Sequence, residues 1–191
     1  YEKTAWGQIL DSLNSMPKSI DPQSDAPMKI YLMKTAYYTM VYPLIMGYVL
    51  SGEKNGKEMK NIEAFAAPLG VAFQIRDDLL GVFGVEKETG KPNNSDILEC
   101  KMTLLIQNTV KKLAGRERDR FIRIFLHAKK SVSDVEYIRS AIYESGALQE
   151  TIKRHRELID ESCEMLDNLV MKKYNKDVIR GVIESVEDIP L

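Results

Sequence analysis

Phe73-Gln74-Ile75-Arg76-Asp77-Asp78-Leu79-Leu80-Gly81-Val82-Phe83-Gly84 sets a glutamine, an arginine and two adjacent carboxylates inside an otherwise apolar run. Read as a helix, the run carries Gln74, Asp77, Asp78 and Gly81 along one side. Carboxylates are costly to bury unpaired, so a pair flanked by core residues implies that a cation comes to meet them. Mg2+ suits the place, because it takes oxygen ligands and commonly bridges carboxylates to a substrate's phosphates. For Asp-Asp alone, the plainer reading is a helix whose acidic residues face water.

The surroundings favour the cation. Downstream, Lys87-Glu88-Thr89-Gly90-Lys91-Pro92-Asn93-Asn94-Ser95-Asp96 holds the Gly, Pro and Asn that end a helix and form a loop. That loop carries Lys91, and a helix opening near Ser95 or Asp96 is expected to carry Lys101 in its second turn. Upstream, Lys34-Thr35-Ala36-Tyr37-Tyr38 begins a long apolar stretch that runs to Leu50. Lysine prefers open solvent, so three lysines in apolar or tight-turn surroundings ask for a shared reason. A ligand with several negative charges, most economically a diphosphate, supplies one. Each lysine taken singly reads as a surface residue.

At this point the chain resembles the trans-isoprenyl diphosphate synthases, with five motifs in the family's order and at about its spacing. Gly7-Gln8-Ile9-Leu10-Asp11 is similar to the family's Gly-Gln-x-x-Asp helix, and Lys34-Thr35 to its Lys-Thr pair. Phe73 to Asp78 is similar to its second aspartate-rich motif. Thr89-Gly90-Lys91, with Ser95-Asp96 and Lys101-Met102-Thr103 after it, resembles the loop and Gly-Lys-x-Thr segment that follow. The resemblance implies an all-α helical bundle of the isoprenoid synthase type. It also implies Mg2+ as cofactor, isopentenyl diphosphate and an allylic diphosphate as substrates, and a homodimer. In family terms Asp77 is the principal metal ligand, Asp78 supports it, and Asp11 contributes from its own helix. Lys34, Lys91 and Lys101 contact diphosphate, while Lys34, Thr35, Gln74 and Lys91 serve the chemical step.

Two departures qualify the match. The last position of the second motif, usually aspartate, is Gly81, which removes one metal or phosphate contact. The family's first aspartate-rich motif, with its arginine pair, lies upstream of the Gly-Gln-x-x-Asp helix, and no segment here supplies it. The expectation is therefore the C-terminal part of a synthase, inactive by itself. A non-catalytic subunit that regulates an active partner is the alternative reading, since such subunits lose aspartate-rich motifs. In the family, product length is set largely by residues just before the first motif; the Leu79-Leu80-Gly81 form implies a farnesyl or geranylgeranyl product.

Composition fits a cytoplasmic domain of this kind. The 191 residues carry a net charge of −1, with no basic face for nucleic acid. They suffice for one core, so residues 1–191 read as a single all-helical domain. Cys100 and Cys163 stand far apart and read as reduced thiols. No membrane span or signal segment is visible: the apolar stretch Met40 to Leu50 is short, is broken by Pro43 and Gly47, and reads as a buried helix. His127 and His155 read as helix-surface residues.

Helices are expected near 2–15, 26–51, 58–84, 96–113, 116–129, 132–146, 147–173 and 175–187, and strand signals are absent. The helix from 147 carries Leu148, Ile152, Ile159, Cys163, Leu166 and Val170 at three- and four-residue steps, a packing stripe. Arg116-Glu117-Arg118-Asp119-Arg120 alternates in sign and reads as a solvated face. Met33, Met40 and Met46 read either as gap-fillers between helices or as lining for an acyl-chain tunnel.

Overall fold

The structure, a computed structural model, describes residues 2–14, 20–84 and 94–190. Among them every regular element is helical: α1 (Glu2–Asn14), α2 (Ala26–Ile30), a π-helical segment (Tyr31–Val41), α3 (Tyr42–Leu50), α4 (Gly56–Phe83), α5 (Ser95–Leu98), α6 (Leu104–Lys112), α7 (Gly115–Phe125), α8 (Val132–Glu144), α9 (Ala147–Asn168) and α10 (Lys173–Glu187). The all-α expectation holds. None of these helices is long and apolar enough to cross a membrane.

The middle of the molecule is α4. It starts at Asn55, whose side chain accepts the amides of Lys57 and Glu58 at 2.9 and 3.4 Å and so satisfies two of the free N–H groups of the first turn. Phe65, Leu69, Ile75 and Leu79 from this helix are fully buried, and they join one apolar cluster with Phe121, Phe125, Ile138, Ile142 and Leu166. The π-helical segment, α9, α10, α3 and α5 all pack against α4.

Two glycines let helices approach the π-helical segment closely. A Cβ at Gly7 of α1 would run into the backbone of Lys34, and one at Gly70 of α4 into the backbone and Cβ of Ala36. Long π-helical runs are rare and collect at functional places. This one holds Lys34 and Thr35 between the helix of Asp11 and the helix of Asp77 and Asp78.

Four expectations need correction. The helix expected over 96–113 is two helices, α5 and α6, separated by Glu99–Thr103, with Cys100 in the left-handed region at φ 55°. Thr103 then starts α6 by accepting the Ile106 amide. Lys101 therefore lies on a non-helical link. The stretch to Leu50 is not a buried helix: α3 has no buried residue, and Met46 and Leu50 are 62% and 82% exposed. An apolar run measures a tendency to be covered, and among the described residues nothing covers Met46 and Leu50.

His155 is fully buried rather than on a helix surface, and His127 is exposed but lies just past the end of α7. On α9 the buried stripe passes through Leu148, Thr151, His155, Leu158, Ile159, Ser162 and Leu166, while Cys163 faces solvent; Val170, also exposed, falls beyond the helix end. Polar residues enter that stripe because each finds a partner. Thr151 bonds the Ala147 carbonyl and accepts from Asn108, and Ser162 bonds the Leu158 carbonyl.

Candidate active site

The acidic pair near the end of α4 splits into two unlike residues. Asp78 is 2% exposed, and both its oxygens are engaged. Its Oδ1 accepts from Gln74 Nε2 and from Lys101 Nζ, each at 2.9 Å. Its Oδ2 accepts a short hydrogen bond from the Tyr31 hydroxyl, whose oxygen in turn accepts the Leu104 amide at 2.8 Å. Asp77, one residue earlier, is only half-buried. Consecutive helical residues point about 100° apart, so one carboxylate enters the protein while the other stands nearer solvent.

Around Asp78 the network continues outward. Thr35 Oγ1 donates to Gln74 Oε1 at 2.7 Å, linking the π-helical segment to α4. Lys101 also lies 3.6 Å from Asp96 Oδ2. Burial works to lower the Lys101 pKa, but the carboxylates of Asp78 and Asp96 outweigh it and hold the ammonium above its ordinary value. Burial and the nearby Asp78 push the Asp96 carboxyl up to about 6, against the pull of Lys101. Burial, reinforced by Asp78, raises the Tyr31 phenol well above its usual range, so this hydroxyl is a proton donor and not an anion.

Beside this network Lys34 Nζ forms a part-buried ion pair with Asp11 Oδ2 at 2.5 Å, joining the π-helical segment to α1. The end of α1 is fastened to the Lys101 link as well, through Asn14 Nδ2 and the Met102 carbonyl at 2.9 Å. Residues far apart in sequence thus meet in two sets that share the π-helical segment: Asp11 with Lys34, and Thr35, Gln74, Asp78 and Lys101 in a chain of direct contacts. Lys91 lies outside the described residues, as does the Thr89-Gly90-Lys91 loop. Of the methionines, Met40 packs against the core and Met46 faces solvent.

Sequence reasoning missed Tyr31 and Asp96. Tyr31 is one of nine tyrosines, with no local cue; Asp96 stood in a quoted motif but without a role. As for metal, no group of three or more His, Cys, Asp or Glu side chains is arranged to hold an ion among the described residues. The donors present fit an ion that takes few protein ligands. Asp78 is buried and bonded to Tyr31, Gln74 and Lys101, whereas Asp77 is half-buried and so the more exposed of the two oxygen donors. Mg2+ is commonly held by one or two carboxylates, with phosphate and water completing its octahedron.

Comparison with known proteins places the chain. The family model described as Polyprenyl synthetase matches residues 1–142, and the chain belongs to that family. It is 40% identical over 100 residues to a geranylfarnesyl diphosphate synthase of Aeropyrum pernix, covering 52% of this chain and 30% of that protein. It is 33% identical over 147 residues to a geranylgeranyl diphosphate synthase of Sulfolobus acidocaldarius, covering 76% and 39%. The crystal structure of a geranylgeranyl pyrophosphate synthase from Corynebacterium glutamicum, complexed with isoprenyl diphosphate and magnesium, superposes with a TM-score of 0.89. Identity there is 27%, over 98% of this chain and 52% of that one. The chain thus spans about half the length of that structure, and less of the two curated relatives.

Proposed function

We propose that the full-length protein is a trans-prenyltransferase that condenses isopentenyl diphosphate with an allylic diphosphate, giving a short-chain product such as farnesyl or geranylgeranyl diphosphate. The observation that carries this is the convergence on Asp78. Tyr31, Gln74 and Lys101 hold one carboxylate from three elements, beside a Lys34–Asp11 pair and next to the half-buried Asp77. Such an arrangement gathers cationic and amide groups in one place, where a polyanion would be recognised.

In this reading Lys101, Lys34 and Lys91 stabilise the diphosphate as its bond to the allylic carbon breaks and the electron pair leaves with oxygen. Mg2+, held by Asp77, with Asp78 in support through the groups it positions and Asp11 contributing from α1, would supply further charge neutralisation to that leaving group. The dipoles of Thr35 and Gln74, joined to each other, face the developing allylic cation. The double bond of isopentenyl diphosphate attacks that cation, forming the new carbon–carbon bond, and a proton is then lost. Apolar helix faces keep out water that would quench the cation. The same reading makes the protein a cytoplasmic homodimer. In support, α1 turns Trp6, Ile9 and Leu13 to solvent, apolar surface that a second copy would cover.

The test is product formation from labelled isopentenyl diphosphate and an allylic diphosphate by the purified full-length protein. Condensation that stops on chelation of Mg2+ is expected, and no condensation with Mg2+ present overturns the reading. The 191-residue chain alone is expected to show none, since it spans about half of the solved relative.

A further inference from the structure

We propose that Asp96 is a positioning residue for Lys101, and that position 81 is glycine because the Asp96 carboxylate occupies the space its side chain would need. The proposal rests on the prenyl-transfer reading and adds a residue to it. Gly81 is buried within α4 and is not among the glycines with positive φ, so backbone conformation does not call for it. Space does. A Cβ there would lie 2.9 Å from Asp96 Oδ2, 3.1 Å from Cγ and 3.5 Å from Oδ1, so its three nearest neighbours all belong to one carboxylate.

Asp96 is delivered to that gap by fixed backbone. The Asn94 amide donates to the Gly81 carbonyl at 3.1 Å, which pins the start of α5 to α4. From there Asp96 holds Lys101 at both ends: its carbonyl accepts the Lys101 amide at 2.9 Å, and its carboxylate faces the ammonium at 3.6 Å. Lys101 sits on a non-helical link and has no helix to orient it. Asp78 supplies a direct bond, and Asp96 supplies the second direction that fixes where the ammonium points.

Binding of inorganic diphosphate with Mg2+ to the full-length protein, followed by calorimetry, separates positioning from simple charge. Deleting a negative charge beside an anion site would by itself tighten anion binding. Positioning demands the opposite sign. Asp96→Asn is expected to weaken diphosphate binding about tenfold, and to have no further effect in a Lys101→Ala background, as coupled neighbours behave. Gly81→Ala, which pushes the carboxylate away, is expected to reproduce the Asp96→Asn loss while circular dichroism stays that of the parent. Unchanged or tighter binding in Asp96→Asn, or a full effect in the Lys101→Ala background, overturns the inference. A parent that binds diphosphate while its variants match it refutes this inference alone; a parent that binds none refutes the prenyl-transfer reading and the inference with it.

Discussion

Asp77 and Asp78 are neighbours in sequence with different physical circumstances. Because the Asp78 oxygens are already taken by Tyr31, Gln74 and Lys101, its work is to hold other groups in place. Asp77 is only half-buried, and in the prenyl-transfer reading it is the principal metal ligand. Asp77→Ala in the full-length protein is therefore expected to lower turnover by orders of magnitude in a steady-state assay with saturating Mg2+. A loss under about tenfold, roughly 1.4 kcal/mol of barrier, contradicts the assignment. Tyr31→Phe tests the buried side of the network. It leaves Asp78 Oδ2 without its donor and the Leu104 amide without its acceptor, both away from water. Urea unfolding should register a loss of about 1–3 kcal/mol, the cost of orphaning buried polar groups.

Among the elements, the π-helical segment is decisive because it is held from two sides by backbone contact. Gly70→Ala puts a methyl group into the backbone of Ala36, and no side chain there can swing away. Overpacking of this kind costs about 1–3 kcal/mol, and it should appear as a lowered Tm. Gly47 of α3 is the opposite case, with nothing within 4 Å of a Cβ placed there. Gly47→Ala should raise stability by about 0.5–1 kcal/mol, since alanine loses less backbone freedom in a helix. The same measurement on both variants separates a glycine kept for space from one that space does not require.

Across the whole molecule, the C-terminal helix and the residue after it are tied to the centre by one buried and one exposed polar contact. His155 Nε2 meets the Val186 carbonyl at 3.1 Å, and Arg76 Nε donates to the Asp188 carbonyl at 2.6 Å. His155 Nδ1 is buried without a partner, so a proton added there would be a second donor with nothing to receive it. Burial lowers the pKa of this imidazole, the Val186 carbonyl works against that, and Arg76 and Arg156 add to the lowering. The sign follows from linkage. Above the ordinary value of about 6.5, neither state is protonated and His155 adds no pH dependence. Below it the unfolded chain takes up the proton first, so stability falls with pH until the folded value is passed. Thermal unfolding of the protein should show this acid-side loss below about pH 6.5, and His155→Gln should flatten it. An unchanged slope in that variant would assign the effect to other groups.

The periodic apolar faces and the charges set in apolar runs were enough, read one after another along the chain, to specify helices and to point to Lys34, Gln74, Asp77, Asp78 and Lys101. That information is local: a helix follows from its own spacing, and a carboxylate among core residues is anomalous wherever it occurs. The break between α5 and α6 was not legible, because neither Gly nor Pro marks it and Cys100 adopts its left-handed conformation under the pull of contacts on either side. Burial of His155 was hidden for a related reason. A helix stripe admits a polar residue only when a partner waits on another element, here the carbonyl of Val186. Tyr31 and Asp96 gained their roles in the same way, the one by reaching Asp78 across 47 residues and the other by filling the gap above Gly81. Which elements form is written in spacing along the chain, whereas which side chains share a proton, a cation or a cavity is decided only when distant elements pack.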